Sequence, residues 1–323
     1  MDTHDLLDTR VLFVTGKGGV GKSTVAAALA LAGVATGRRT VLVEVEGRQT
    51  MARIFDTEPW DFEEREFRPD LAGLSIDPEA SLAEYLEMFY GARRLSRLVV
   101  GSSAVEFATT AAPGIKDVLL IGKVRELERR RRPDGRLRYD LIIVDAPPTG
   151  RIVRFLQAPD AATELVGVGP IRAQAQSVVD MLLDRTRTRL QLVTLLEEMP
   201  VEETIASADA LRELGVEVGP VLVNRVVTCG LDVTARNVLV DGLTPPRLRA
   251  IAGDAGVALD EPAALALLAR GEAHLRRLDL ETRMRTRLGA AGSPLAELPF
   301  IASATFGEHE VRLLADRLVE LVA

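Results

Sequence analysis

Thiols, imidazoles, lysines and aromatic rings are all scarce in this 323-residue chain. Its one cysteine, Cys229, excludes an intrachain disulfide framework and any cysteine-built zinc or iron–sulfur centre within a single chain. The three histidines, His4, His274 and His309, stand far apart with no ligand spacing and read as surface or locally satisfied side chains. No apolar run approaches the roughly 18 residues that a membrane-spanning helix needs. Residues 1–5 are acidic rather than basic and lead straight into strand-like sequence. No secretory leader is read there, so a cytoplasmic chain is expected, with peripheral attachment to a membrane left open. A basic excess is also missing: the net charge of −7 argues against a surface that coats nucleic acid, and no nucleic-acid partner is expected. Among 40 lysines and arginines only Lys17, Lys22, Lys116 and Lys123 are lysines. In so arginine-biased a chain, a lysine marks a place where the planar guanidinium fork does not suit.

What is present is a large apolar fraction, 47%, against 27% charged residues. A chain of this length buries roughly 75% of its unfolded surface. Short apolar runs recur at Val11 to Thr15, Thr40 to Val45, Leu74 to Ile76, Leu141 to Val144, Leu192 to Thr194, Val221 to Asn224 and Leu298 to Phe300. Helical patterns separate them, and strands alternating with helices predict an α/β fold whose mostly parallel sheet is covered on both faces. No internal repeat is evident, so residues 1–323 are read as a single domain. Residues 81–111 and 151–189 are long for simple crossovers. The first carries Leu82, Tyr85, Leu86 and Phe89 at helical spacing; the second carries Val178, Val179, Met181, Leu182 and Leu183. Such stripes are ordinarily core, and the alternative is a helical subdomain with an apolar groove built from the two stretches. From Asp241 to Gly289, Ala, Leu and Arg broken by Pro245, Pro246 and Pro262 predict two or three covering helices.

Gly16-Lys17-Gly18-Gly19-Val20-Gly21-Lys22-Ser23, followed by Thr24, fits G-x-x-x-x-G-K-[ST] between a strand and a helix. Glycines let the backbone wrap phosphate oxygens with N–H groups, and the helix N-terminus adds positive potential. On this chemistry Lys22 reaches the β and γ phosphates of a nucleotide, and the Ser23 hydroxyl ligates Mg²⁺. Asp145 ends the strongest apolar strand, where a sheet of this kind binds ligands, and suits an acid of the metal shell.

Lys17 directly after the first glycine makes this the deviant Walker A pattern. The loop resembles that of the dimeric ATPases that include MinD, ParA, the nitrogenase iron protein and the arsenite-efflux and tail-anchored-protein-targeting ATPases. Asp145-Ala146-Pro147-Pro148-Thr149-Gly150-Arg151 resembles the switch II segment of the arsenite/tail-anchor branch, and Pro113-Gly114-Ile115-Lys116-Asp117 resembles another segment of it. The likeness runs from residue 10 to about 310. It implies an ATPase of the anion-transporting (ArsA-like) type with ATP and Mg²⁺ as its cofactors. In this reading Lys17, Lys22, Glu46 and Asp145 are catalytic, Ser23 and Asp145 hold the metal, and Gly16, Gly18, Gly19, Val20, Gly21, Lys22, Ser23 and Thr24 cradle phosphate. Asn224 would read the adenine base beside a wall of Pro299 and Phe300.

The likeness also implies a dimer, either of two such chains or with a paralogous ATPase, in which Lys17 contacts nucleotide across the interface. The ATP cycle would couple to a protein client or a membrane partner. Three departures stand out. Glu46 occupies the place of the branch's switch I aspartate, its extra methylene displacing the carboxylate that handles the attacking water. Arg151 replaces a switch II histidine. The paired cysteines of relatives are absent, and without soft thiolates arsenite sensing has no ligands. The alternative is a MinD- or ParA-like positioning ATPase attached to membrane or DNA. It is disfavoured because residues 308–323 carry two arginines against four acids rather than a basic amphipathic face.

Overall fold

The computed structural model describes residues 6–45, 47–81, 84, 115–165, 170–228 and 230–322. Among these the strands are β1 (Val11–Gly16), β2 (Thr40–Val45), β3 (Arg65–Arg68), β4 (Leu71–Ile76), β5 (Leu141–Asp145), β6 (Thr188–Thr194), β7 (Val221–Val226) and β8 (Leu295–Pro299). The helices are α1 (Lys22–Ala35), α2 (Thr50–Ile54), α3 (Ile115–Arg129), α4 (Thr149–Leu165), α5 (Pro170–Leu183), α6 (Glu198–Glu213), α7 (Val233–Val240), α8 (Pro245–Asp254), α9 (Glu261–Ala290) and α10 (Glu308–Val322). One sheet takes all the strands in the order β3-β4-β2-β5-β1-β6-β7-β8, parallel except where β3 meets β4. This is the α/β architecture that the alternation of strands and helices predicts.

Period-two alternation assigns each strand residue to a face. Val11 and Phe13 point into a layer with α3, α4, α5 and α6, whereas Leu12 and Val14 point into a layer with α1, α2 and α10. α1 packs through alanines, which let its axis approach the strands closely; Val25 to Ala30 are all fully buried.

Several boundaries differ from the sequence reading. β6 begins at Thr188, earlier than its apolar run suggests, because Arg189 and Gln191 are buried within it; the Gln191 amide donates to the carbonyls of Leu192 and Pro220. β3, whose sequence is Arg-Glu-Phe-Arg, has no apolar run to announce it and serves as the polar edge of the sheet. In the 151–189 stretch, Ile152, Phe155, Val178 and Met181 are fully or almost fully buried against the sheet, while Leu183 is half exposed. Most of 81–111, with Leu82, Tyr85, Leu86 and Phe89, lies outside the described residues.

The helices after β7 differ most from expectation. α7 and α8 bury no residue, and the first half of α9 buries only Ala264 and Leu268. They pack on each other instead of covering the sheet, with the Leu239 side chain against Gly271. Their starts are locally encoded, since Asp232 and Asp260 accept from the backbone N–H groups of Ala235 and Ala263. Only the C-terminal half of α9 is tied to the body. There Glu281, almost fully buried, accepts from the Val227 N–H and pairs with Arg277, and Arg285 binds Glu297 on β8.

Candidate active site

β1 ends at Gly16 against β6. A side chain at Gly16 would place its Cβ 2.1 Å from the Val193 carbonyl oxygen, so only glycine turns the chain there. Gly19 and Gly21 have φ of 88° and 90°, a conformation that glycine adopts without strain. Val20 between them is buried and pins the loop, while Gly18 and Gly19 have open space above their Cα atoms. α1 starts at Lys22 with no side-chain cap, which leaves its first N–H groups available to an anion.

Lys22 lies across the loop, its ammonium 3.3 Å from the Lys17 carbonyl oxygen. Burial pushes its pKa below the ordinary lysine value, and the nearby Asp145 charge pulls the other way. The Ser23 hydroxyl donates to Asp145 Oδ2 at 2.6 Å. Asp145 is buried at the end of β5, and its other oxygen, Oδ1, has no hydrogen-bond partner. Burial raises its pKa to about 6, although the Ser23 hydrogen bond and Lys22 oppose that rise. A buried carboxylate with a spare oxygen beside a serine hydroxyl fits a hard divalent cation, whose oxygen-ligand chemistry these two groups match.

The chain after Asp145 is stitched to β1: the Ala146 N–H donates to the Val14 carbonyl at 3.0 Å, and the Thr15 hydroxyl donates to the Pro147 carbonyl at 2.6 Å. Any rearrangement around Asp145 is therefore felt at the phosphate loop.

Switch I is held by residues that motif reading passed over. Glu44, paired in register with Asp145, is fully buried. Its carboxylate accepts from the backbone N–H groups of Gln49, Thr50 and Met51, capping α2 from the neighbouring strand. Gln49, at φ 55°, closes the turn by exchanging hydrogen bonds of 2.7 Å with both the N–H and the carbonyl of Trp60. Glu46 lies outside the described residues.

The Asn224 amide donates to the Val20 carbonyl at 2.9 Å and accepts from the Arg225 N–H, and a Cβ at Gly21 would lie 2.4 Å from its nitrogen. Asn224 thus braces the loop. It also lines a cavity of about 810 Å³ with Gly21, Thr24, Pro299 and Phe300. Phe300 is fixed there by its N–H on the Val226 carbonyl, and its ring is half exposed.

Lys17 turns away from the loop. Its ammonium sits 2.7 Å from Glu203 Oε2 on α6, and the other oxygen of Glu203 accepts from the Thr149 hydroxyl. Burial alone would raise the Glu203 pKa, but the Lys17 and Thr149 hydrogen bonds and the Lys17 and Lys22 charges outweigh it and hold it below the usual carboxylate range. Nothing in the sequence marks Glu203 apart from the glutamates around it, because its partners are 186 and 54 residues away.

A family model described as Anion-transporting ATPase matches residues 9–168 and 165–232. The chain belongs to the anion-transporting ATPase family. It is similar over most of its length to ATPase BagA of Mycobacterium tuberculosis, 41% identical over 303 residues that cover 92% of this chain and 89% of that protein. A putative ATPase of Mycobacterium bovis, Mb3704, matches with the same identity and coverage. An arsenical pump-driving ATPase of Escherichia coli is 27% identical over 238 residues, 67% of this chain and 39% of the relative. This anion-transporting ATPase therefore hydrolyses ATP. Among its described residues no helix is long and apolar enough to cross a membrane.

Proposed function

We propose that this anion-transporting ATPase works as a dimer, of two copies or with a paralogous chain, whose ATP cycle drives a client or partner between two states. The observation that supports the ATP cycle in this reading is the buried Asp145 with its spare oxygen, joined to Ser23 at the head of α1; the dimer rests on the second lysine of the loop, Lys17.

The glycines of the loop and the free N–H groups of α1 would wrap the phosphates, and Gly21, Thr24, Asn224, Pro299 and Phe300 would enclose the adenine. Lys22 would leave the Lys17 carbonyl and hold the β and γ phosphate oxygens. Ser23 and Asp145 would hold Mg²⁺, which when bound neutralises charge on those phosphates. Glu46 or a backbone group would position the water, whose oxygen attacks the γ phosphorus as its proton passes to Glu46 or to solvent. The bond to the β–γ bridging oxygen breaks, giving ADP and inorganic phosphate. Lys17 would reach the phosphates of the partner's nucleotide, because its own site already has Lys22.

Packing supports this reading over membrane attachment through the last helix. The apolar face of α10, with Val311, Leu314, Ala315 and Leu318, is buried in the layer that contains α1. Pairing of Lys17→Ala with Lys22→Ala tests the composite site, measured as phosphate release. Each variant alone should lose at least about a hundredfold, the order expected for removing a charge-stabilising group. In a mixed dimer one site keeps its own Lys22 and receives an intact Lys17, so turnover should partly return. Full turnover by folded Lys22→Ala would overturn the phosphate-site assignment, and absence of recovery in demonstrated mixed dimers would place Lys17 in its own site.

A further inference from the structure

Glu203 belongs neither to the phosphate loop nor to the segment after Asp145, yet both converge on its carboxylate. One oxygen takes the Lys17 ammonium and the other takes the Thr149 hydroxyl, at the first residue of α4. We propose that Glu203 is a positioning residue that stands in for a phosphate, clasping Lys17 and Thr149 together in the nucleotide-free chain and giving both up when ATP binds. The proposal rests on the reading of Lys17 as a phosphate ligand.

Three features make the clasp exchangeable. First, its side chains are about one-third exposed, 30% for Lys17 and 31% for Glu203, so the pair is screened and readily broken. A nucleotide phosphate carries more charge than one carboxylate and outcompetes it for an ammonium. Second, Lys17 is engaged at both ends. Its ammonium faces Glu203, and its carbonyl accepts from Lys22. When Lys22 turns to the phosphates, the backbone hold on Lys17 is lost and the side chain is left to the carboxylate alone. Third, Thr149 follows Pro147 and Pro148, and Pro147 is bound by Thr15 of β1. A short, stiff connection therefore joins the clasp to Asp145. The Thr149 hydroxyl also orients the Glu203 carboxylate that Lys17 meets, so loop and switch share one side chain.

The scarcity of lysine gives a direct readout. Only four lysine side chains accept acetylation by a water-soluble ester, and Lys116, exposed in the first turn of α3, is an internal standard. In the nucleotide-free protein, mass spectrometry should find Lys17 of Glu203→Gln labelled about three to ten times faster than in the wild type, in line with the loss of a partly exposed charged pair. Thr149→Val, which removes one arm and keeps the carboxylate, should accelerate Lys17 labelling in the same direction by a smaller factor. Glu203→Gln should also lower KM for ATP by about threefold, because nucleotide no longer competes with the carboxylate. Unchanged Lys17 labelling in folded Glu203→Gln, or in Thr149→Val where the first variant does not fold, overturns the clasp. Faster labelling without recovery in the Lys17/Lys22 mixture keeps the clasp and removes only the composite dimer site. Recovery without faster labelling removes the clasp alone.

Discussion

α1 and the first half of α9 are written in nearly the same letters and meet opposite fates. Ala-Ala-Ala-Leu-Ala-Leu-Ala in α1 is fully or almost fully buried, whereas Ala-Ala-Leu-Ala-Leu-Leu-Ala in α9 leaves Leu265 and Leu267 half exposed. Helix propensity is the same in both, so propensity is not what separates them. Connectivity separates them. α1 begins where a buried parallel strand ends, and the short phosphate loop gives it no choice but to lie back across the sheet toward β5 and β2. α9 is reached through α7, α8 and their turns. Those helices bury no residue, and the arm packs on itself while its far end is bolted to β7 and β8. A similar run of small apolar residues is core in one place and surface in the other, depending on what the preceding residues allow.

That contrast can be broken by matched truncations. Leu29→Ala in α1 should destabilise the chain by about 2–5 kcal/mol, the range for deleting a fully buried leucine with little room to collapse, read by denaturant midpoint at fixed slope. A loss under about 1 kcal/mol would mean that α1 repacks easily and that its close approach to the sheet is not tight.

A second measurement sharpens the α1 side through its charge. Asp145, with its pKa raised to about 6 by burial, binds its proton more tightly folded than unfolded. Between the unfolded carboxylate value near 3.9 and about 6 the folded chain holds more protons, so stability falls as pH rises through that window and stays lower above it. Asp145→Asn should therefore stabilise the nucleotide-free protein at pH 8 by up to about 3 kcal/mol and flatten this part of the pH profile. An Asn variant no more stable than the wild type at pH 8 would mean that Ser23 and Lys22 already compensate the buried charge. The smallest effect belongs to the arm. Leu265→Ala should change stability by no more than about 0.5 kcal/mol, as exposed positions do, and a loss of several kcal/mol would show that its exposed face is covered in solution.

The parts of the molecule legible in the sequence are those whose signals are local. The parallel sheet follows from apolar runs at Val11, Thr40, Leu141 and Val221, and the glycine loop between β1 and α1 follows from Gly16, Gly19 and Gly21, whose close contacts or φ values suit glycine. Asp145 is legible because a strand end and the loop motif together point to it. Glu44 and Glu203 are not, although one caps switch I and the other pairs with Lys17. A glutamate's spacing says nothing about a partner that the fold brings in from another strand or from 186 residues away. The polar strand β3 and the early start of β6 escaped for a related reason. Their hydrogen bonds are satisfied by neighbours rather than announced by hydrophobicity, and Gln191 reads as a surface residue until its carbonyl acceptors are in place. The arm escaped because burial is a property of the whole chain, and alanine and leucine look alike wherever they stand.

The double hydrogen bond between Gln49 and Trp60 has a practical consequence. Trp60 is the only tryptophan in the chain; it is buried and stacked on Phe55 with ring centroids 6.3 Å apart, and its backbone grips the turn that carries switch I. Indole emission depends on the polarity and motion of its surroundings, and here a single indole adjoins one turn. The protein thus contains its own optical probe of that turn. Ultraviolet excitation reads it without a label, and no second tryptophan dilutes the signal.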